Sequence, residues 1–298
     1  MSPTMAQLLD VLSQTTLLEA LNTDIQALCN SSDTALAKNK APLNLQHLTS
    51  IATGSDLFTC AFLVDHIVFS SNAKNIILRL EPLQELPAFL LRSLAQRIDD
   101  GFAGPILKLA LANRKVQCWK LADKDITFPK LPTINIGDFT EETGGPFFQS
   151  LRLDQLQLLE VDFILSVDEW SLFGDLPHLT SLQVFSNESS LLRVLLRRKA
   201  NTPDPDTPPD RPAFVALRRL RISSWRLDAL FRPRKNTSII QLLRRYLKRR
   251  KMDGRGLHFL QVRCCRGVDE NVLAPLRKFI KQIEWDGVDC NNYDTGEE

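Results

Sequence analysis

The chain has 298 residues, 44% of them hydrophobic and 24% charged, with a formal net charge of +2. That balance is the one expected of a folded globular chain and excludes a disordered or collagen-like polymer, while the near-neutral total points to no class of partner. The six cysteines, Cys29, Cys60, Cys118, Cys264, Cys265 and Cys290, are scattered, unlike the dense framework of a small secreted domain, so reduced thiols in the cytoplasm or nucleus are expected.

The first residues, MSPTMAQLLDVLSQ, lack the basic segment and apolar core of a secretory signal. No apolar run approaches the ~20 residues needed to span a bilayer, so no membrane role is expected. Asn30, Asn187 and Asn236 fall in glycosylation sequons, which have no consequence inside a cell. Residues 5–29 read as one or two amphipathic helices, and 1–40 as a helical N-terminal cap.

From residue 41 to 288 a repeat is expected. An apolar residue, two others, an apolar residue, one other and an apolar residue recur as Ile106-Leu109-Leu111, Leu131-Ile134-Ile136, Leu156-Leu159-Val161, Leu179-Leu182-Val184, Leu217-Leu220-Ile222, Leu257-Leu260-Val262 and Ile280-Ile283-Trp285. Successive starts are 25, 25, 23, 38, 40 and 23 residues apart, and four of these gaps lie in the 20–29 window of leucine-rich repeats. The last two apolar positions are two apart, so they share one face of a short strand. One unit cannot bury that edge alone, whereas stacked units share a continuous core. The frame thus predicts an α/β leucine-rich-repeat solenoid, a horseshoe with parallel strands on the concave face and helices outside.

Helical periodicity fills the intervals at Leu83–Ile98, Asp168–Leu176, Ser189–Arg198, Thr237–Lys251 and Asp269–Phe279. The stretch NTPDPDTPPDRP, 201–212, reads as a disordered Pro-rich loop, and 289–298 as a disordered acidic tail. Upstream of Ile106, both Val64-Ile67-Phe69 and Ala73-Ile76-Leu78 fit the frame, but they start nine residues apart, so only one can be a repeat.

LHFLQVRCCRGVDENVLAPL, 257–276, resembles the cysteine-containing leucine-rich repeat of F-box proteins, with Leu257, Leu260, Val262, Cys265, Val268 and Leu273 at its key places. VDEWSLFGDLPHLTSL, FVALRRLRISSW and FIKQIEWDGV are similar to the repeat region of fungal F-box-like proteins. The resemblance spans roughly residues 75–288 and implies substrate recognition for an SCF-type ubiquitin ligase, with the ligase adaptor as a partner where an F-box lies upstream. The F-box opening itself is not found in residues 1–60; ELPAFLLRSLAQRI, 85–98, imitates it but reads as the helix of a repeat. The alternative is a stand-alone repeat scaffold with no ligase link.

Strand residues that do not point to the core face a partner. In this frame they include Lys108, Ala110, Thr133, Asn135, Leu158, Glu160, Asp162, Ser181, Gln183, Phe185, Arg219, Arg221, Ser223, Phe259, Gln261 and Arg263. Phe185, Phe259, Arg219, Arg221 and Arg263 are of the types that dominate binding hot spots. A protein partner is therefore expected. Residues 193–255 carry 19 Lys or Arg against 5 Asp or Glu, and the helix at 237–251 ends in Arg244, Arg245, Lys248, Arg249, Arg250 and Lys251. This basic patch reads first as a solvated helix face and second as a site for an acidic partner, a nuclear import receptor or nucleic acid. The lack of an interleaved aromatic ladder argues against nucleic acid. No nucleophile elbow, phosphate loop or dinucleotide fingerprint occurs, and His47, His66, His178 and His258 lack metal-ligand spacing. Asp204-Pro-Asp206-Thr207 lies in a Pro-rich loop, unlike the buried strand end that phosphatase chemistry needs. No catalytic residue, metal or cofactor is expected.

Overall fold

The protein is a mixed α/β chain, seen in a computed structural model that describes residues 4–24, 42–55, 57–69, 75–80, 92, 95–96, 105–112, 115–119, 134–137, 141–162, 164–185, 189–196, 213–232 and 237–288. The loop at 201–212, the tail at 289–298, Leu131, Thr133 and most of the helix expected at 83–98 lie outside these residues. The chain folds as two compact units. One is Met1–Ala110 with Arg114–Leu153, and the other is Leu111–Asn113 with Asp154–Glu298.

In the first unit, helix α1 (Met5–Gln14) starts at a reciprocal cap. Thr4 Oγ1 accepts from the Gln7 N–H at 3.2 Å, and Gln7 Oε1 accepts from the Thr4 N–H at 2.8 Å. Met5, Leu9 and Leu12, spaced four and three apart, form its buried stripe. The strands are β1 (Ala20–Asp24), β2 (Leu43–Leu45), β3 (Ser50–Ser55), β4 (Ile67–Phe69), β5 (Asn75–Leu80), β6 (Lys108–Ala112), β7 (Lys115–Trp119) and β8 (Ile134–Gly137), with helices α2 (Leu57–His66) and α3 (Glu141–Ser150). Sheet order is β1-β3-β5-β8-β7-β6, with β2 and β4 forming a separate parallel pair. Of the one or two amphipathic helices expected over 5–29, α1 is one, and residues 20–24 are instead β1, parallel to β3. Its residues follow the repeat frame as Leu18-Leu21-Thr23, and β3 follows it as Leu48-Ile51-Thr53. In register, Leu21, Ile51, Ile76 and Ile134 share one column, and Thr23, Thr53, Leu78 and Ile136 another. Ile76 and Leu78 thus enter the main sheet, and Ile67 and Phe69 belong to the small pair; Ala73 lies outside the described residues.

The copies starting at Ile106 and Leu131 are not neighbours, as a single ladder from residue 106 requires. β7 lies between them and runs antiparallel to β8. Val116 and Cys118, two apart and both buried, give β7 its inward face.

The second unit holds five parallel strands in the order β9 (Leu158–Asp162), β10 (Ser181–Val184), β11 (Arg219–Ser223), β14 (Phe259–Arg263) and β15 (Gln282–Trp285). Between β11 and β14 the short strands β12 (Leu230–Arg232) and β13 (Thr237–Ser238) pair antiparallel. Every crossover carries helical residues, as parallel neighbours require: α4 (Val167–Gly174), α5 (Ser189–Leu195), α6 (Ile239–Met252), then α7 (Glu270–Leu273) with a 3₁₀ turn at Leu276–Lys278. A single helix over 269–279 does not form. Pro275, the residue before the 3₁₀ turn, has no N–H for a continuing helix. Leu159, Leu182, Leu220, Leu260 and Ile283 lie in one register column, and Val161, Val184, Ile222, Val262 and Trp285 in the next. All but Ile283 and Trp285, on the last strand, are fully buried.

The turns repeat as well. Ser224, Cys264 and Gly287, each four residues after its column residue, all take positive φ (60°, 47° and 75°). After the first two, Trp225 and Cys265 turn back into the core. Before the strands, one carbonyl of each unit accepts from the next: Gln157 from Thr180 and Ser181, Thr180 from Arg218 and Arg219, and Arg218 from His258 and Phe259, at 2.8–3.2 Å. Glu19 does the same for Thr49 and Ser50 in the first unit, at 2.8 and 3.3 Å.

Candidate binding face

Alternation puts the even-numbered residues of β9 and β15, and the odd-numbered ones of β10, β11 and β14, on the sheet face away from the leucine column. Three rows result. The first runs Leu158, Ser181, Arg219, Phe259, Gln282, and the second Glu160, Gln183, Arg221, Gln261, Glu284. The third joins Ser223 to Arg263 and continues by register to Phe185 and Asp162 on one side and Asp286 on the other. Here Phe185 N–H donates to the Val161 carbonyl and Asp286 N–H to the Val262 carbonyl. All nine face residues expected from the sequence (Glu160, Asp162, Gln183, Phe185, Arg219, Arg221, Phe259, Gln261 and Arg263) therefore lie on this one face.

Charge is sorted across it. Carboxylates occupy the outer strands, Glu160 and Asp162 on β9 and Glu284 on β15, with Asp286 just beyond. Arginines occupy the middle ones, Arg219 and Arg221 on β11 and Arg263 on β14. Strand geometry places the Cα atoms of Arg219 and Arg221 about 7 Å apart and that of Arg263 about 8 Å from Arg221. All three are exposed, and among the described residues no carboxylate pairs with them; Arg221 reaches only Gln183 Oε1, at 3.4 Å. Phe259, half-buried, sits beside Arg219. The outer carboxylates are held from within. Glu284 accepts from Gln261 Nε2 at 3.0 Å and from Gln282 Nε2 at 2.9 Å, and Asp286 accepts from the N–H groups of Cys264 and Val288 at 2.9 and 3.1 Å. Gln261 is only 7% exposed and acts on this face by fixing Glu284. In the first unit, Ala110, expected on an open face, is buried, and Lys108 lies over the Trp119 ring with 4.4 Å to its centroid.

The basic patch divides. Helix α6 buries Ile239, Leu242, Leu243, Tyr246 and Leu247, which turns Arg244, Arg245, Lys248 and Arg249 outward. Arg250 does not belong with them. It is 4% exposed and donates to the carbonyls of Phe214 (2.7 Å), Leu217 (2.8 Å) and Arg255 (3.0 Å) and to Tyr246 Oη (3.3 Å). The spacing that buries positions 239, 243 and 246 brings 250 to the same stripe, so its charge is met by carbonyl dipoles instead of water. Burial pushes the Tyr246 phenol up from its ordinary value, against the opposing pull of Arg250. Lys251 is also engaged, its Nζ donating to the Lys278 carbonyl at 2.6 Å. The helix ends in a left-handed turn at Gly254 (φ 69°), where Gly254 N–H donates to the Lys251 carbonyl and Arg255 N–H to the Arg250 carbonyl, a Schellman closure.

No family model, curated protein or solved structure matches the chain. Among the described residues no helix is long and apolar enough to cross a membrane.

Proposed function

We propose that this chain is a leucine-rich-repeat protein-recognition module, and that the open face of the second unit captures a partner protein. The observation that carries this reading is the five-strand register. It fixes a leucine column inside and, outside, three exposed arginines with no carboxylate partner among the described residues, Arg219 lying beside Phe259, on a sheet of the kind solenoids use for binding. The Arg221→Glu, Phe259→Ala double variant tests it. Both side chains lie off the core, so the circular-dichroism spectrum and melting temperature stay near wild type while affinity-captured partner is lost. Undiminished capture by the folded variant overturns the face.

The resemblance of 257–276 to the F-box-type repeat supports a narrower role, substrate recognition for an SCF-type ubiquitin ligase, with a cytoplasmic or nuclear location. Co-purification with a cullin-ligase adaptor tests that role separately. A stand-alone scaffold is the competing reading. It needs only the repeat frame and the open face, and the same co-purification decides between the two.

A further inference from the structure

At the edge of the second sheet where its strands begin, the residues just before each strand also stack. His258 N–H donates to the Arg218 carbonyl at 2.9 Å, and Gln282 N–H to the His258 carbonyl at 3.0 Å. With Arg219 opposite Phe259 and Phe259 opposite Gln282, the preceding residues Arg218, His258 and Lys281 form one row. Strands about 4.8 Å apart give that row a length of roughly 10 Å. The hydrogen bond from Lys251 Nζ to the Lys278 carbonyl brings the end of α6 against the 3₁₀ turn beside it. These five residues, with Arg277 and the glycines at 254 and 256, line an open cavity of about 450 Å³.

Every ionisable side chain in that wall is a lysine, an arginine or a histidine. Arg277 is already matched by Glu270, whose two oxygens lie 2.9 and 3.2 Å from its Nη2. Among the described residues, Arg218, Lys278 and Lys281 have no carboxylate partner. The depression nearby is different. Arg263 and Arg277 share its wall with Glu270, Glu284 and Asp286, so charges of both signs meet there. Charge of one sign gathered in a concavity raises the local concentration of counter-ions, and lysine ammonium groups act as point charges toward phosphate.

We infer that this cavity binds a small soluble anion carrying two or more phosphoryl groups. A single anionic group would meet one or two of these cations, whereas linked phosphoryl groups would reach along the row from Arg218 to Lys281. The inference does not rest on the partner-binding reading, because the cavity lies at the strand starts and the arginine rows lie on the sheet face.

Titrating the full chain with tripolyphosphate in a calorimeter tests it. Wild type gives one saturable site, and orthophosphate at equal ionic strength binds more weakly. Lys278→Glu with Lys281→Glu, both exposed positions, weakens tripolyphosphate about 30-fold, from the loss and reversal of two close charges. Arg244→Glu with Arg245→Glu makes the same change in net charge on the outward ridge of α6, about 9–10 Å along the helix axis from Lys251, and stays within about threefold, as screened distant charges do. Melting curves establish that each pair is folded, and Lys281→Gln gives a milder second variant. The site is overturned by absence of a saturable isotherm, by equal losses in the two charge-reversed pairs, or by orthophosphate binding as tightly as tripolyphosphate.

Discussion

The two units use one frame with different strictness. In the second, every inward position of β9, β10, β11 and β14 is Leu, Ile or Val, and all five strands of its sheet run parallel. In the first, threonine takes the third place of the frame in β1 and β3, and the antiparallel β7 separates two of the frame-bearing strands. The backbone ladder survives in both, since the Glu19 carbonyl serves Thr49 and Ser50 as the Gln157 carbonyl serves Thr180 and Ser181. The stacking of short strands thus depends on backbone pairing plus an apolar second position. The third position sets how much burial energy each strand adds.

The largest effect is expected where the strict column is broken. Leu260 is fully buried between Leu220 and Ile283, so Leu260→Ala removes methyl groups from both interfaces and leaves a cavity, at a cost of about 2–5 kcal/mol. Urea unfolding measures it. A change below about half a kcal/mol, the size of an ordinary surface substitution, would show that the column is not a shared core.

Next is the buried cation that braces the second unit. Arg250→Ala leaves the carbonyls of Phe214, Leu217 and Arg255 without their donor and is expected to cost about 2–3 kcal/mol. Arg244→Ala, on the exposed side of the same helix, changes stability by less than about 0.5 kcal/mol. Equal effects from the two would remove the distinction between brace and ridge. A smaller loss is expected at the bend after β14. Gly267 has φ 67°, and a Cβ there would lie 2.5 Å from the Asp228 Cβ, so Gly267→Ala costs about 1–3 kcal/mol from strain and the shift it forces. A thermal melt at wild-type temperature would contradict it.

Much of the second unit is readable from the chain because the leucine frame and strand alternation fix faces without any knowledge of contacts. That is why Arg219, Arg221, Phe259 and Arg263 fall where the spacing puts them. Other features are decided by tertiary geometry. Arg250 looks like its neighbours Arg249 and Lys251 in sequence, and only its place four residues after Tyr246, on the stripe that also holds Leu243, marks it as inward. Arg218, His258 and Lys281 stand one place before their strands and stack only once the register is known. β1 and β3 escape an apolar frame because Thr23 and Thr53 occupy its third place, and β7 lies between two copies that look adjacent in sequence. The helix expected over 269–279 overlooked Pro275.

Thr53 offers the means to erase the difference between the units. It is 2% exposed, and its Oγ1 has no hydrogen-bond partner among the described residues. In register it stands beside Leu78, in the column that Ile136 continues. A buried hydroxyl without a partner carries an uncompensated desolvation cost, and valine has nearly the same shape without the oxygen. Thr53→Val is therefore expected to stabilise the protein by about 1 kcal/mol, against the usual direction of core substitutions. The reverse change in the second unit, Val161→Thr, is expected to destabilise by a similar amount, since Val161 is fully buried in a column of apolar neighbours. Paired urea titrations that gave both substitutions the same sign would show that the third position does not serve the same purpose in the two sheets.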